Sequence, residues 1–195
     1  MSKFIVLEGG DRCGKATQSY ALLNYIMHAN KKLARVIEVP VHSWITYHII
    51  YWMLGNGAAK LFPTFFQILQ YINRQIFQWF TLPRLEKTFD YIIMDRWYLS
   101  TIVYGEAEGV SPAISDWLCN KLRKPDFTIL LLGESHNHIS EDVYESDKSL
   151  QKNVRYLYQK WAQTNPNECE VINCNLPREE VTSKIIFSLK EKGLL

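Results

Sequence analysis

Along the chain, short unbroken apolar runs alternate with longer stretches whose apolar residues recur at helical spacing. Phe4-Ile5-Val6-Leu7 is a continuous β-favouring run ended by glycines, the pattern of a strand covered on both faces. From Lys15 to about Asn30 the period becomes helical, with Tyr20, Leu23, Ile26 and Met27 on one stripe. Strand two is expected at Ala34–Val39, stopped by Pro40. Helices are predicted near Trp44–Leu54 and Thr64–Lys87, the second carrying Phe65, Ile68, Leu69, Ile72, Ile76 and Phe80. Strand three is Tyr91–Met94 and ends in the polar pair Asp95-Arg96. Strand four is Phe127–Leu132, followed by a helix at Lys148–Thr164, strand five at Glu170–Asn173 and a last helix at Arg178–Lys192. Buried strands alternating with helices predict a five-stranded parallel sheet with helices on both faces, because each parallel connection needs a crossover. Ligands of such sheets bind at the carboxyl ends of the strands, which directs attention to the residues just after strands one, two and three.

The bulk numbers narrow this picture without changing it. A chain of 195 residues with 47% hydrophobic and 22% charged residues is expected to be a single domain spanning 1–195. A net charge of +2, from 22 basic and 20 acidic residues, lacks the strongly basic face that wraps a nucleic acid polymer. The four cysteines, Cys13, Cys119, Cys169 and Cys174, form no CxxC pair and no disulfide-scaffold density, which points to free thiols in a reducing compartment. The most apolar region, His48–Leu54 and Leu61–Phe80, is interrupted by Gly55, Gly57, Pro63, Asn73 and Arg74. It reads as buried helix, short of the roughly 18 uninterrupted apolar residues of a membrane span. The first residues lack a signal-peptide core. The expectation is a cytoplasmic protein with no membrane partner.

The chemistry is concentrated after strand one. Gly9-Gly10-Asp11-Arg12-Cys13-Gly14-Lys15 satisfies the GxxxxGK core of a P-loop, here 9–17. A glycine-rich turn lets successive backbone N–H groups converge on phosphate oxygens, the helix N-terminus adds partial positive charge, and Lys15 supplies a point charge. Gly10, Asp11, Arg12, Cys13, Gly14, Lys15, Ala16 and Thr17 are therefore the candidate nucleotide-phosphate residues. The position after Lys15 would ordinarily carry the hydroxyl that binds Mg²⁺, and here it is Ala16. Thr17 is no simple substitute, because adjacent helical residues point about 100° apart. Either Mg²⁺ is held by the nucleotide, waters and an acid such as Asp95, or metal binding is weakened.

The wider stretch, with its GxDRxGKxTQ pattern ending at Gln18, resembles the opening of a thymidylate kinase, of the eukaryotic and viral type with a basic residue in the P-loop. The resemblance implies a P-loop NTPase fold, a nucleoside monophosphate kinase domain, and transfer of a phosphoryl group from ATP with Mg²⁺ to dTMP. It implies that Asp11 contacts the sugar 3′-hydroxyl of the monophosphate and that Arg12 reaches the ATP phosphates. Asp95-Arg96-Trp97 with Ser100 is similar to the family's DR-aromatic motif, whose Asp organises Mg²⁺ and whose Arg bridges both substrates' phosphates. Arg12, Lys15, Asp95 and Arg96 are thus the expected catalytic set. Arg74 is similar to the Arg that hydrogen-bonds thymine. An Arg inside an apolar helix is costly alone, so its position suggests either a ligand or a buried acid. Tyr104 and Gly105 lie where the family closes over sugar and base, Lys124-Pro125-Asp126 matches the lead into strand four, and the lid falls at about 134–145. A homodimer through helices is also implied, with aromatic-rich candidates in Trp44–Trp52 and Phe65–Phe80.

Several positions depart from the family's pattern. His42 stands where a Phe-Pro-x-Arg motif places the Arg that clamps the acceptor phosphate, and an imidazole is the weaker clamp. Gln70 replaces the aromatic that stacks on thymine, leaving Phe66 or Tyr71 as alternatives. The lid stretch holds His136 and His138 but no Arg or Lys; two loop histidines without a third ligand read as solvent-exposed. The expected dTMP-binding set is Asp11, His42, Gln70, Arg74, Arg96, Ser100 and Tyr104. Alternative readings are a degenerate nucleotide-binding or interaction module, and a kinase for another deoxynucleoside monophosphate.

Overall fold

The structure, a computed structural model, describes residues 2–42, 45–133 and 148–195. Five parallel strands, β1 Lys3–Gly9, β2 Ala34–Glu38, β3 Tyr91–Asp95, β4 Phe127–Leu132 and β5 Cys169–Asn173, form one sheet in the order β2-β3-β1-β4-β5. β1 is central, with Val6 opposite Met94 on one side and Thr128 on the other. Its alternate side chains divide the core in two. Phe4 and Val6 join Ile92, Met94, Leu130 and Leu132 on one face, and Ile5 and Leu7 join Ile93, Ile129 and Leu131 on the other. Both faces are apolar because helices cover both.

The second face is covered by α1 Lys15–His28, through Leu22 and Ile26, and by a C-terminal helix, Arg178–Glu191, through Val181, Ile185 and Leu189. The first face is covered by α4 Pro63–Phe80, α6 Tyr98–Ala107 and α8 Lys148–Thr164. Smaller helices α2 Ile45–Gly55, α3 Ala58–Leu61, α5 Leu82–Thr88 and α7 Pro112–Cys119 complete that layer, and the C-terminal helix is α9.

The helix expected over Thr64–Lys87 is two helices, broken at Thr81. Pro83 lies in the first turn of α5, where it lacks the N–H that a continuous helix would need. α3, α6 and α7 were not foreseen. α6 is buried on most sides, so it has no polar stripe to mark its period. Ser111-Pro112 was the available start signal for α7, with Pro112 in its first turn. The remaining boundaries agree with expectation to within one or two residues.

Strand order reverses about β1, whose crossover leads toward β2 while β4 lies on the opposite side. At that point the loops after β1, β2 and β3 are stitched together. The Arg96 N–H donates to the Leu7 carbonyl at 2.9 Å and the Val39 N–H to the Asp95 carbonyl at 3.2 Å.

Candidate active site

The turn after β1 needs its glycines for stated reasons. Gly9 has φ 143°, and a Cβ there would lie 2.1 Å from the Leu131 carbonyl oxygen, so the chain crosses the end of β4 only with no side chain. Gly14 sits at φ 73° as the N-cap of α1 and offers no side-chain cap, which leaves the first-turn amides of α1 available to an anion. Arg12 adopts φ 61°, an uncommon left-handed conformation for a non-glycine residue. Lys15 is buried, and its ammonium donates to the Gly10 carbonyl at 2.6 Å, folding over the loop. Burial depresses its pKa, as does Arg96, against the pull of Asp95 and Asp11.

Arg96 is the hub. It also has a left-handed φ, 70°, and Trp97 anchors it from behind: fully buried, edge-on to Phe4 and Phe77, with its indole N–H on the Arg123 carbonyl at 2.9 Å. The guanidinium donates to the Gly9 carbonyl at 3.1 Å and to Ser100 Oγ at 3.4 Å, pairs with the Asp11 carboxylate, and reaches the Tyr104 hydroxyl at 3.4 Å. Its carbon lies 5.1 Å from the Tyr104 ring centroid. Burial opposes its charge, but Tyr104 and Asp11, then Tyr158 and Asp95, outweigh this and hold its pKa above the ordinary value. Asp11 is the reciprocal case. Burial pushes its carboxyl up, yet Arg96, Lys15 and hydrogen bonds with Tyr104 and Gln151 hold it below 3.8.

Two clefts meet at this hub. One, of about 360 Å³, lies over the P-loop and is lined by Asp11, Arg12, Gly14, Lys15, Ala16, Thr17, Glu38, Val39, Asp95 and Arg96. The other, of about 230 Å³, runs between α2, α4 and α6 and is lined by Asp11, Val39, Pro40, Tyr51, Leu54, Phe66, Gln67, Gln70, Arg74, Arg96, Ser100, Thr101 and Tyr104. Asp11, Val39 and Arg96 belong to both. The far end of the second cleft is set by Arg74, whose guanidinium donates to the Trp97 carbonyl at 3.0 Å and to the Gln70 carbonyl and side-chain oxygen at 3.0 and 2.8 Å. Burial lowers its pKa to about 10, with Glu8 opposing the shift. Its partners are oxygens of neutral groups, with no ion-pair carboxylate among the described residues.

The structure thus gathers Asp11, Gln70, Arg74, Arg96, Ser100 and Tyr104 on one cleft, and of the two alternative stacking aromatics it is Phe66, not Tyr71, that lines it, together with Tyr51 and Tyr104. His42 is not brought there. It is exposed, its ring 4.1 Å from that of Tyr47, and of this loop only Val39 and Pro40 reach the lining, Val41 packing on the core and bonding to Asn73 instead. Gly105 is likewise off the lining and packs between Gln67 and Ser115. Lid positions 134–145, with His136 and His138, lie outside the described residues. Cys13 is buried in the loop. A hydrogen bond with Cys174 brings its thiol down to about 7 against the effect of burial, and all four cysteines are free. Sequence reasoning missed Glu8, Glu38 and Gln151. Gln151 of α8 accepts the Asp11 N–H at 3.3 Å and donates to its carboxylate at 2.6 Å.

Asp95, Glu38 and Thr17 bring side-chain oxygens, the ligands Mg²⁺ prefers, to the lining of the P-loop cleft beside its cationic residues. Among the described residues no three acidic, His or Cys side chains form a cage.

Fold and site together define a P-loop phosphotransferase with a second ligand cleft abutting its phosphate loop. A family model described as thymidylate kinase matches residues 7–185. A thymidylate kinase of Dictyostelium discoideum is 27% identical over 189 residues, covering 93% of this chain and 82% of that one. Among solved structures, thymidylate kinase from Candida albicans superposes with a TM-score of 0.80 at 22% identity, covering 99% and 93% of the two chains. That from Ehrlichia chaffeensis gives 0.75 at 22%, covering 97% and 98%. The chain belongs to the thymidylate kinase family, and with it to the ATP-dependent phosphotransferases that act on dTMP.

Proposed function

We propose that this chain transfers the γ-phosphoryl group of ATP to dTMP, giving ADP and dTDP, with the residues of the two clefts in the following roles. ATP lies over the P-loop, its β- and γ-phosphates held by the loop amides, Lys15 and Arg12, while dTMP enters the second cleft with its phosphate toward Arg96. An oxygen of the dTMP phosphate attacks the γ-phosphorus and the bond to the β,γ-bridging oxygen breaks, the electron pair leaving with ADP. The acceptor phosphate is already ionised, so no strong general base is needed, and the protein's contribution is positioning and charge stabilisation. Arg96 supports this reading most directly, because its guanidinium belongs to both clefts. Asp11 aims Arg96 and meets the sugar. Phe66, Gln70 and Arg74 form the base end, and Ser100 and Tyr104 support Arg96. Asp95, with Glu38 and Thr17 nearby, would hold Mg²⁺, which when bound neutralises charge on the phosphates.

The test is a coupled assay of ADP release with ATP, millimolar Mg²⁺ and dTMP. Turnover that requires dTMP, and that falls about 10²-fold or more in Arg96→Lys through loss of the planar two-pronged donor, is the expected result. Folded protein that releases no ADP with any nucleoside monophosphate would overturn it. Family membership and the intact charged set at the junction favour the enzyme over a non-catalytic module.

The same reading includes a homodimer in the cytoplasm. Phe65, Ile72 and Trp79 on α4 are exposed at seven-residue spacing, with Ile68 and Ile76 half-buried between them, an apolar seam of the kind a second helix covers. Among the described residues no helix is long and apolar enough to cross a membrane.

A further inference from the structure

Glu8 has no part in the roles assigned so far, yet it is a fully buried carboxylate one residue before the phosphate loop. Burying such a group is costly unless every oxygen is satisfied. Here one oxygen accepts the backbone N–H of Trp97 at 2.7 Å and of Ser100 at 3.2 Å, and the other accepts the hydroxyls of Ser100 at 2.5 Å and Tyr158 at 2.9 Å. The two amides are the N-cap and third-residue amides of α6, so Glu8 supplies from β1 the cap that α6 lacks from its own side chains. Arg96 is the residue immediately before that cap, held in a left-handed conformation that a non-glycine adopts only when its surroundings enforce it. Its backbone is clamped on one side by the Leu7 carbonyl and on the other by the Glu8–Trp97 bond.

We propose that Glu8 is a positioning residue for phosphoryl transfer: by tying the end of β1 to the start of α6 it fixes where the Arg96 guanidinium points. It touches neither substrate and acts only through Arg96. The inference rests on the role given to Arg96 above. Its selectivity is geometric, since Lys15 is held by the Gly10 carbonyl and the Asp11 amide by Gln151, neither of them through Glu8.

The experiment is a double-variant cycle on the full chain, with steady-state kinetics for ATP and dTMP and circular dichroism for folding. Glu8→Gln is nearly isosteric but weakens the charge-assisted bonds to the two amides. We expect it to fold, to lose about tenfold in kcat, and to keep KM for ATP within about threefold. Glu8→Ala, if folded, loses more than Glu8→Gln. On an Arg96→Lys background the Glu8→Gln penalty shrinks to about twofold or less, because the group it aims has gone. Wild-type kcat in folded Glu8→Gln, a loss confined to KM, or the full tenfold penalty on the Arg96→Lys background would each overturn the proposal. So would failure of Glu8→Gln to fold, which would mark Glu8 as a purely structural residue. Wild-type kcat in Arg96→Lys would instead sink the underlying reading of Arg96.

Discussion

Asp11 shows how much a single side chain in this site depends on its partners. Its carboxylate is held by Arg96 and Gln151, and its pKa lies below 3.8 because those contacts, with Lys15, outweigh burial. A carboxyl with a depressed folded-state pKa contributes stability above its unfolded pKa, and that contribution is lost as pH falls through the folded value. The window here opens below about pH 4. Asp11→Asn cannot titrate, so urea midpoints measured from pH 6 to pH 2.5 should fall less steeply below pH 4 than in the wild type; parallel curves would refute the assignment. Asp11, Arg12, Lys15, Asp95 and Arg96 were all legible as candidates, because the P-loop and DR-aromatic spacings name them. Glu8 and Gln151 were not. A Glu at a strand's end and a Gln in an amphipathic helix carry no local pattern, and their significance arises only where distant segments meet.

At the scale of elements, the site depends on how loops leave the strands. Gly9 passes the end of β4 so closely that a methyl group would collide with the Leu131 carbonyl. Gly9→Ala should destabilise the fold by about 2–4 kcal/mol, read from denaturant unfolding, through backbone conformation and steric overlap together. The strand-two loop is held differently. Asn73 of α4, fully buried, accepts the Val41 N–H at 2.8 Å and donates to the Val41 carbonyl at 3.3 Å and to Thr46 of α2 at 2.9 Å. Asn73→Leu leaves those groups unpaired, for an expected cost of about 1–3 kcal/mol. Because Pro40 lines the acceptor cleft alone while Val39 borders both clefts, KM for dTMP should rise more than KM for ATP, which initial-rate kinetics will decide. With Val41 tied to Asn73, the next residue, His42, is exposed and stands against Tyr47 rather than on the cleft. Sequence alignment by motif supplies a residue's place in the order of the chain, not the direction its loop takes.

For the whole molecule, the sheet order places β1 between β3 and β4, so the loops that carry phosphate chemistry emerge side by side while the helices of both layers remain free for packing. The α4 seam of Phe65, Ile72 and Trp79 faces outward from the first layer. Ile72→Glu, changed at an exposed position, should leave the monomer folded but shift sedimentation from about twice 22.9 kDa to that monomer mass. A wild-type chain that already sediments at the monomer mass would remove the dimer from the reading.

The sequence alone determined the alternation of five strands with helices, the phosphate loop and the charged residues beside it, since apolar periodicity and glycine-lysine spacing are local properties written along the chain. Tertiary structure decided which of Phe66 and Tyr71 lines the acceptor cleft, that Arg74 is held by carbonyls and Gln70, that His42 is exposed against Tyr47, that Glu8 bonds the start of α6 next to Arg96, and that Gln151 braces Asp11. These are contacts between segments up to 140 residues apart. Their energies come from burial and paired hydrogen bonds across elements, which exist only once the layers have packed.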